Sequence, residues 1–154
     1  MKRIIMFIAI FTLLTVTGFT FANAADPVEG YWKSIDEDSG KPTAFWKFSV
    51  KGSVLTGRII SYKDMKDGDV CDKCKGSFKN KPILKTSWLR LTERNSDGVW
   101  DTGYIVDTRV GKQYKAKVWV EDGNLMVRGY LGVAALGRTQ VWKKATKDEA
   151  AKGL

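Results

Sequence analysis

The chain has 154 residues, with 26 Lys and Arg against 17 Asp and Glu, and no His at all. Without imidazole there is no Ser-His-Asp triad, no histidine metal ligand and no c-type haem attachment. An enzyme built here would have to use carboxylate, Lys, Tyr or thiol chemistry, and none of these forms a visible catalytic constellation. A single domain is the natural count for this length, large enough to hold a core without staples.

Met1-Lys2-Arg3 is a short positive region, Ile4 to Phe21 an apolar run, and Ala22-Asn23-Ala24 a small-x-small site. That order predicts a secretory signal cleaved after Ala24, and hence a periplasmic or secreted protein. The competing reading is an uncleaved anchor. The run is near the lower limit of ~17 residues for a span and is interrupted by Thr12, Thr15, Thr17 and Thr20. No later segment is long and apolar enough to cross a bilayer as a helix.

The formal net charge is +9, and loss of Lys2 and Arg3 with the leader leaves +7. Basic and acidic residues interleave throughout, as in Lys33, Asp36, Glu37, Asp38 and Lys41. This pattern describes a solvated basic surface, and no nucleic-acid partner is expected. An anionic envelope polymer stays open as a docking partner.

From Glu29 onward, alternation with period two recurs between Gly/Asp/Asn/Lys turns, the signature of a sandwich or barrel. Eight strands are expected. The first is Glu29–Ile35. The second is Thr43–Val50, with Ala44, Trp46, Phe48 and Val50 on one face. The third is Ser53–Tyr62, followed by a long loop, Lys63–Pro82. The fourth, Ile83–Thr92, has the least decisive alternation. The fifth is Val99–Asp107. The sixth is Lys112–Val120, with Tyr114, Ala116, Val118 and Val120 on one face. Glu121-Asp122-Gly123-Asn124 is the clearest hairpin turn. The seventh is Leu125–Tyr130, and the eighth is Gly137–Lys143. Residues 145–154 form a polar tail, either a short helix or frayed. The expected organisation is a signal peptide over 1–24, a β domain over 25–144 and the tail.

Short connections and one apolar face per strand predict an all-β, eight-stranded, antiparallel up-and-down barrel. An open sandwich is the alternative that hairpin patterns leave standing.

Gly30-Tyr31-Trp32 on the first strand and Arg138 in the last resemble the calycins, the lipocalin and avidin-like barrels. The resemblance implies that the Trp32 indole sits at a closed end and that Arg138 packs across it, a sound cation–π pairing. A wider set of runs covers nearly all of the chain after the leader. It includes Thr56-Gly57-Arg58-Ile59, Cys71-Asp72-Lys73-Cys74-Lys75-Gly76, Asn80-Lys81-Pro82-Ile83, Val127-Arg128-Gly129-Tyr130-Leu131-Gly132 and Gly137-Arg138-Thr139-Gln140-Val141-Trp142. Together they resemble the secreted bacterial family named domain of unknown function twenty-one forty-seven, which implies a small exported barrel with no established activity. At Lys85-Thr86-Ser87-Trp88 the chain departs from that family's usual Gly and apolar stretch, which leaves the facing of the fourth strand open.

Cys71-x-x-Cys74 admits three readings. A structural loop disulfide suits an oxidising compartment. A redox-active dithiol would need one lowered thiol pKa. A zinc site would need two more ligands beside the cysteines, and without His only Asp67, Asp69 and Asp72 are left to supply them. The disulfide is the expectation, with neither metal nor cofactor; the thiol redox protein is kept as an alternative. On the last two strands, Arg128, Tyr130, Arg138, Gln140 and Trp142 crowd together. If the even-numbered side chains face inward, Arg128, Tyr130, Gln140 and Trp142, with Trp46 opposite, form an interior patch that orients a small apolar or amphipathic ligand.

Overall fold

The computed structural model describes residues 25–154. The expected signal peptide, residues 1–24, lies outside the described residues. Eight strands run in chain order: β1 (Gly30–Ile35), β2 (Pro42–Lys51), β3 (Val54–Tyr62), β4 (Ser87–Arg94), β5 (Trp100–Asp107), β6 (Lys112–Glu121), β7 (Asn124–Tyr130) and β8 (Arg138–Ala145). Each pairs antiparallel with its chain neighbour, and β1 pairs with β8, so the sheet closes into a barrel without a free edge.

The expected strands match to within a few residues, except at β4. Its predicted first residues, Ile83–Thr86, form a turn instead. The Ile83 carbonyl accepts the Trp88 indole N–H at 2.6 Å, and the Thr86 hydroxyl donates to the Pro82 carbonyl at 2.7 Å. These local bonds hold the backbone out of the ladder until Ser87.

The barrel interior is filled over most of its height. Trp32, Phe48, Leu55, Leu89, Leu91, Val118 and Leu125 are each at most 1% exposed. A fully buried Leu or Phe contributes roughly 1.5–3 kcal/mol, so this layer is the principal source of stability. Trp46, Phe48 and Trp142 meet inside it, with the Trp46 and Trp142 ring centroids 5.0 Å apart.

The topology gives the two ends different parts. One end carries the β2–β3, β4–β5 and β6–β7 turns, together with the entering and leaving chain. That end is sealed by residues 26–28. Val28 is 1% exposed, and its carbonyl accepts the Trp32 indole N–H at 2.9 Å. Asp26 accepts from the Trp100 indole at 3.2 Å and pairs with Arg94 at 2.8 Å.

The tail is helical. Residues Lys147–Lys152 form α1, opened by a capping box between Thr146 and Glu149. Ala150 packs with Phe45 and Ala145 on the outer wall, and the Ser61 hydroxyl donates to the Ala150 carbonyl at 3.2 Å. The helix therefore clasps the strands beside the β1–β8 seam.

Candidate functional site

The other end of the barrel is the open one, bounded by the β1–β2, β3–β4, β5–β6 and β7–β8 connections. Here the inward row changes character. Ile105, Tyr114, Gly129 and Gln140 face the interior by register, and solvent reaches all four. Beneath them Ala116 is 1% exposed and Val127 3%, so the mouth is shallow and has a solid floor. A Cβ placed on Gly129 would meet Tyr114 Cβ at 3.7 Å and Ile105 Cγ2 at 3.9 Å, which are ordinary contacts. The glycine therefore leaves a gap over these two side chains rather than relieving a clash.

Of the five expected interior residues, three lie inside. Trp46 and Trp142 are in the floor, and Gln140 stands above them, its side-chain carbonyl accepting the Trp142 indole N–H at 3.1 Å. That bond fixes the amide orientation and leaves the Gln140 NH2 group available at the mouth. Arg128 and Tyr130 lie on the outer wall instead. The reason is the two-residue turn at Asp122-Gly123, which pairs Val120 with Leu125 and Val118 with Val127. A turn of that length puts even positions of β6 on the same side as odd positions of β7. From outside, Arg128 donates to the carbonyls of Ala134 and Ala135 at 2.8 and 3.1 Å and to the Thr139 hydroxyl at 2.7 Å. It clamps the β7–β8 connection rather than facing a ligand.

The expected pairing of Trp32 with Arg138 is also corrected. In an antiparallel closure the start of β1 meets the end of β8, and the register places Lys144 opposite Trp32. The Lys144 ammonium lies 4.1 Å from the Trp32 ring centroid and donates to the Glu29 carbonyl at 3.1 Å. Burial holds its pKa below the ordinary lysine range. Arg138 begins β8 at the open end, where it pairs with Glu37. Gly30 stands in β1 as expected, its φ of +115° bringing the backbone beneath Lys144. A cation does cover the Trp32 face, supplied from six residues further along the strand.

Cys71 and Cys74 form a disulfide, and both are buried, at 1% and 2% exposed. Their loop leaves the open end and folds down over the outer wall of β4 and β5. Tyr104 pairs with Arg90 and Lys115, and Val106 with Gln113, all exposed partners, so Tyr104 and Val106 point outward. Phe78 covers them, 5.4 Å from the Tyr104 ring and 5.6 Å from Trp88. The strap is fastened under the β5–β6 turn, where a Cβ on Gly111 would lie 2.1 Å from the Lys73 carbonyl oxygen. Tyr62 and Asp69 hydrogen-bond across its start. Closing so short a disulfide ring adds only ~2 kcal/mol, so the bridge shapes the strap while the aromatic contacts hold it. A cleft of about 450 Å³ separates the strap from β5 and β6, with Phe78 and Val106 at its base and Lys73, Lys75 and Lys112 on its rim.

Among solved structures, the chain is similar to protein HP1028 of Helicobacter pylori, described as belonging to the lipocalin family. The two share 16% identity over 78% of this chain and 84% of the other, with a TM-score of 0.64, which shows the lipocalin-like fold alone. No protein of curated function matches the chain in sequence. The model of a bacterial family, described as an uncharacterized protein conserved in bacteria (DUF2147), matches residues 30–144, which begin at the first residue of β1 and end one residue short of the end of β8, and the chain belongs to that family.

Proposed function

We propose that the chain is an exported binding protein that holds a small amphipathic molecule in the mouth of its barrel. The observation that carries the reading is the change along the inward row, from a sealed aromatic floor to four solvent-reached positions at Ile105, Tyr114, Gly129 and Gln140. Such a site combines apolar walls with few polar groups, as small-molecule sites do. The Gln140 amide and the Tyr114 hydroxyl would orient the polar part, and Ile105 and the Tyr114 ring would take the apolar part. The Ala22-Asn23-Ala24 motif and the oxidised cysteine pair support export to an oxidising compartment. With no histidine and a buried disulfide, the reading is of binding rather than catalysis.

The test blocks the mouth. Gly129→Leu would place a side chain over Tyr114 and Ile105 without strain, since Gly129 has an ordinary φ and no close neighbour. Fluorescence titration with a dansylated fatty acid should give saturable binding to the wild type and at least ten-fold weaker binding to the variant. Both proteins should keep the same far-ultraviolet spectrum. Native mass spectrometry of protein recovered after export would identify a co-purifying molecule. Equal binding by both proteins, or no saturable binding to the wild type, would reject the mouth as a site.

A further inference from the structure

We infer that one sector of the open rim, formed by the β5–β6 and β7–β8 connections, docks on an anionic lipid surface. This does not depend on the ligand reading above. The observation is an asymmetry between the two ends. Val110 is 58% exposed, Leu131 53%, Val133 60% and Leu136 83%, and all four lie in these two connections. The turns of the sealed end are Gly52-Ser53, Asn95-Ser96-Asp97-Gly98 and Asp122-Gly123, and they present no large apolar tip. Met65, Val70, Leu84, Val141 and Leu154 are also exposed, at 38–50%, but the four most exposed large apolar side chains among the described residues fall in adjacent connections at one end, which marks a surface.

The tips are held rather than loose. Arg128 binds the Ala134 and Ala135 carbonyls, which fixes the segment carrying Val133 and Leu136. Docking would therefore cost little ordering entropy. Charge identifies the partner. Residues 131–137 contain no ionisable group, and Lys73, Lys75 and Lys112 surround Val110 in the cleft beside the strap. Arg109 is adjacent, with Asp107 neutralised against it at 2.9 Å. Of the carboxylates at this end, Glu37 pairs with Arg138 at the end of the β7–β8 connection and Asp72 lies in the strap beside Lys73, while Asp64, Asp67 and Asp69 lie earlier in the β3–β4 connection. Lys73, Lys75 and Lys112 stand outside the ion pairs found among the described residues. Apolar tips flanked by lysines match the acyl boundary and headgroups of an anionic bilayer. A protein partner fits less well, because four projecting side chains fall far short of the ~20–30 residues per side of a stable interface.

The test uses the full chain with vesicles of phosphatidylcholine, alone or mixed with phosphatidylglycerol. Hydrogen exchange at short labelling times localises the contact, which separates the rim from any binding by residues 1–24. Phosphatidylglycerol vesicles should slow exchange over residues 109–112 and 131–137 and leave residues 95–98 and 121–124 unchanged. Val133→Asp with Leu136→Asp should lower partitioning at the rim roughly ten-fold, since each exposed side chain carries apolar transfer energy without packing inside the barrel. Lys51→Gln, a charge loss at the sealed end, should leave it unchanged. Protection confined to other segments, equal protection by neutral vesicles, or an unaltered double variant would overturn the inference.

Discussion

The sealed and open ends of this barrel differ in what their side chains are asked to do. At the sealed end the polar groups that close the barrel meet partners from their own chain. Trp32 and Trp100 donate to Val28 and Asp26, Arg94 closes on Asp26, and Lys144 covers the Trp32 ring. At the open end Gln140 keeps its NH2 group available, and Val133 and Leu136 stand in solvent. The same strands thus spend their apolar residues on closure at one end and on presentation at the other. An end that is self-satisfied contributes stability, whereas an end with unspent donors and apolar tips is where an outside molecule finds something to bind.

Substitutions at the two ends should therefore fail in different ways. The largest effect is expected from Trp32→Ala. It removes a ring that is 1% exposed, the bond to the Val28 carbonyl and the face beneath Lys144. The cost should be about 3–5 kcal/mol of unfolding free energy in urea, most of it from the cavity. A loss below ~1 kcal/mol would mean that the sealed end does not hold the barrel together.

Gly111→Ala comes next, at the open end. The residue has φ of +68°, and its Cβ would sit 2.1 Å from the Lys73 carbonyl oxygen. Backbone strain and the clash together should cost about 1–3 kcal/mol. The damage should be local. The strap over residues 63–86 should exchange its amide hydrogens faster while the strands keep their protection. Uniform loosening of the barrel would show that the strap is part of the same cooperative unit as the sealed end.

The sequence carried most of this fold, because eight alternating segments with tight turns leave few closures. It also contained the means to avoid two misassignments. Once Tyr114, Ala116, Val118 and Val120 face inward, the two-residue turn at Asp122-Gly123 forces Leu125 and Val127 inward and Arg128 and Tyr130 outward. Likewise, closure between the first and last strands forces Trp32 against the end of β8, so Lys144 was the cation to name and not Arg138. Both follow from connectivity, and reading each strand alone misses them. The strap was not legible in this way. Its contacts join Phe78 to Trp88 and Tyr104 and Gly111 to Lys73, pairs that no local period or turn signal connects. The start of β4 was hidden for the same reason, since the bond from Trp88 to the Ile83 carbonyl competes with strand pairing.

The smallest expected effect is a response to acid that separates the strap from the seam. Asp69 lies at the start of the strap, and a hydrogen bond from the Tyr62 hydroxyl, helped by the Lys66 backbone N–H, holds its carboxyl below the ordinary 3.8. Glu149 lies at the seam, where Lys33 at 2.9 Å and the Thr146 backbone N–H hold it below 4.5. Both groups are lowered in the folded protein. Their contributions are therefore complete above the ordinary carboxylate range and are lost as pH falls through the folded values, below about pH 4. Both carboxylates are partly exposed, so the losses are modest and screened by salt. They differ in place. Asp69→Asn should abolish the acid-induced rise in exchange over residues 63–69 and leave the response of residues 146–152 intact. Glu149→Gln should do the reverse, removing the capping box's charge and the ion pair while the strap still loosens in acid. If either substitution silenced both regions, the two would be coupled through the barrel wall, and the division of labour between its ends would have to be redrawn as a single cooperative structure.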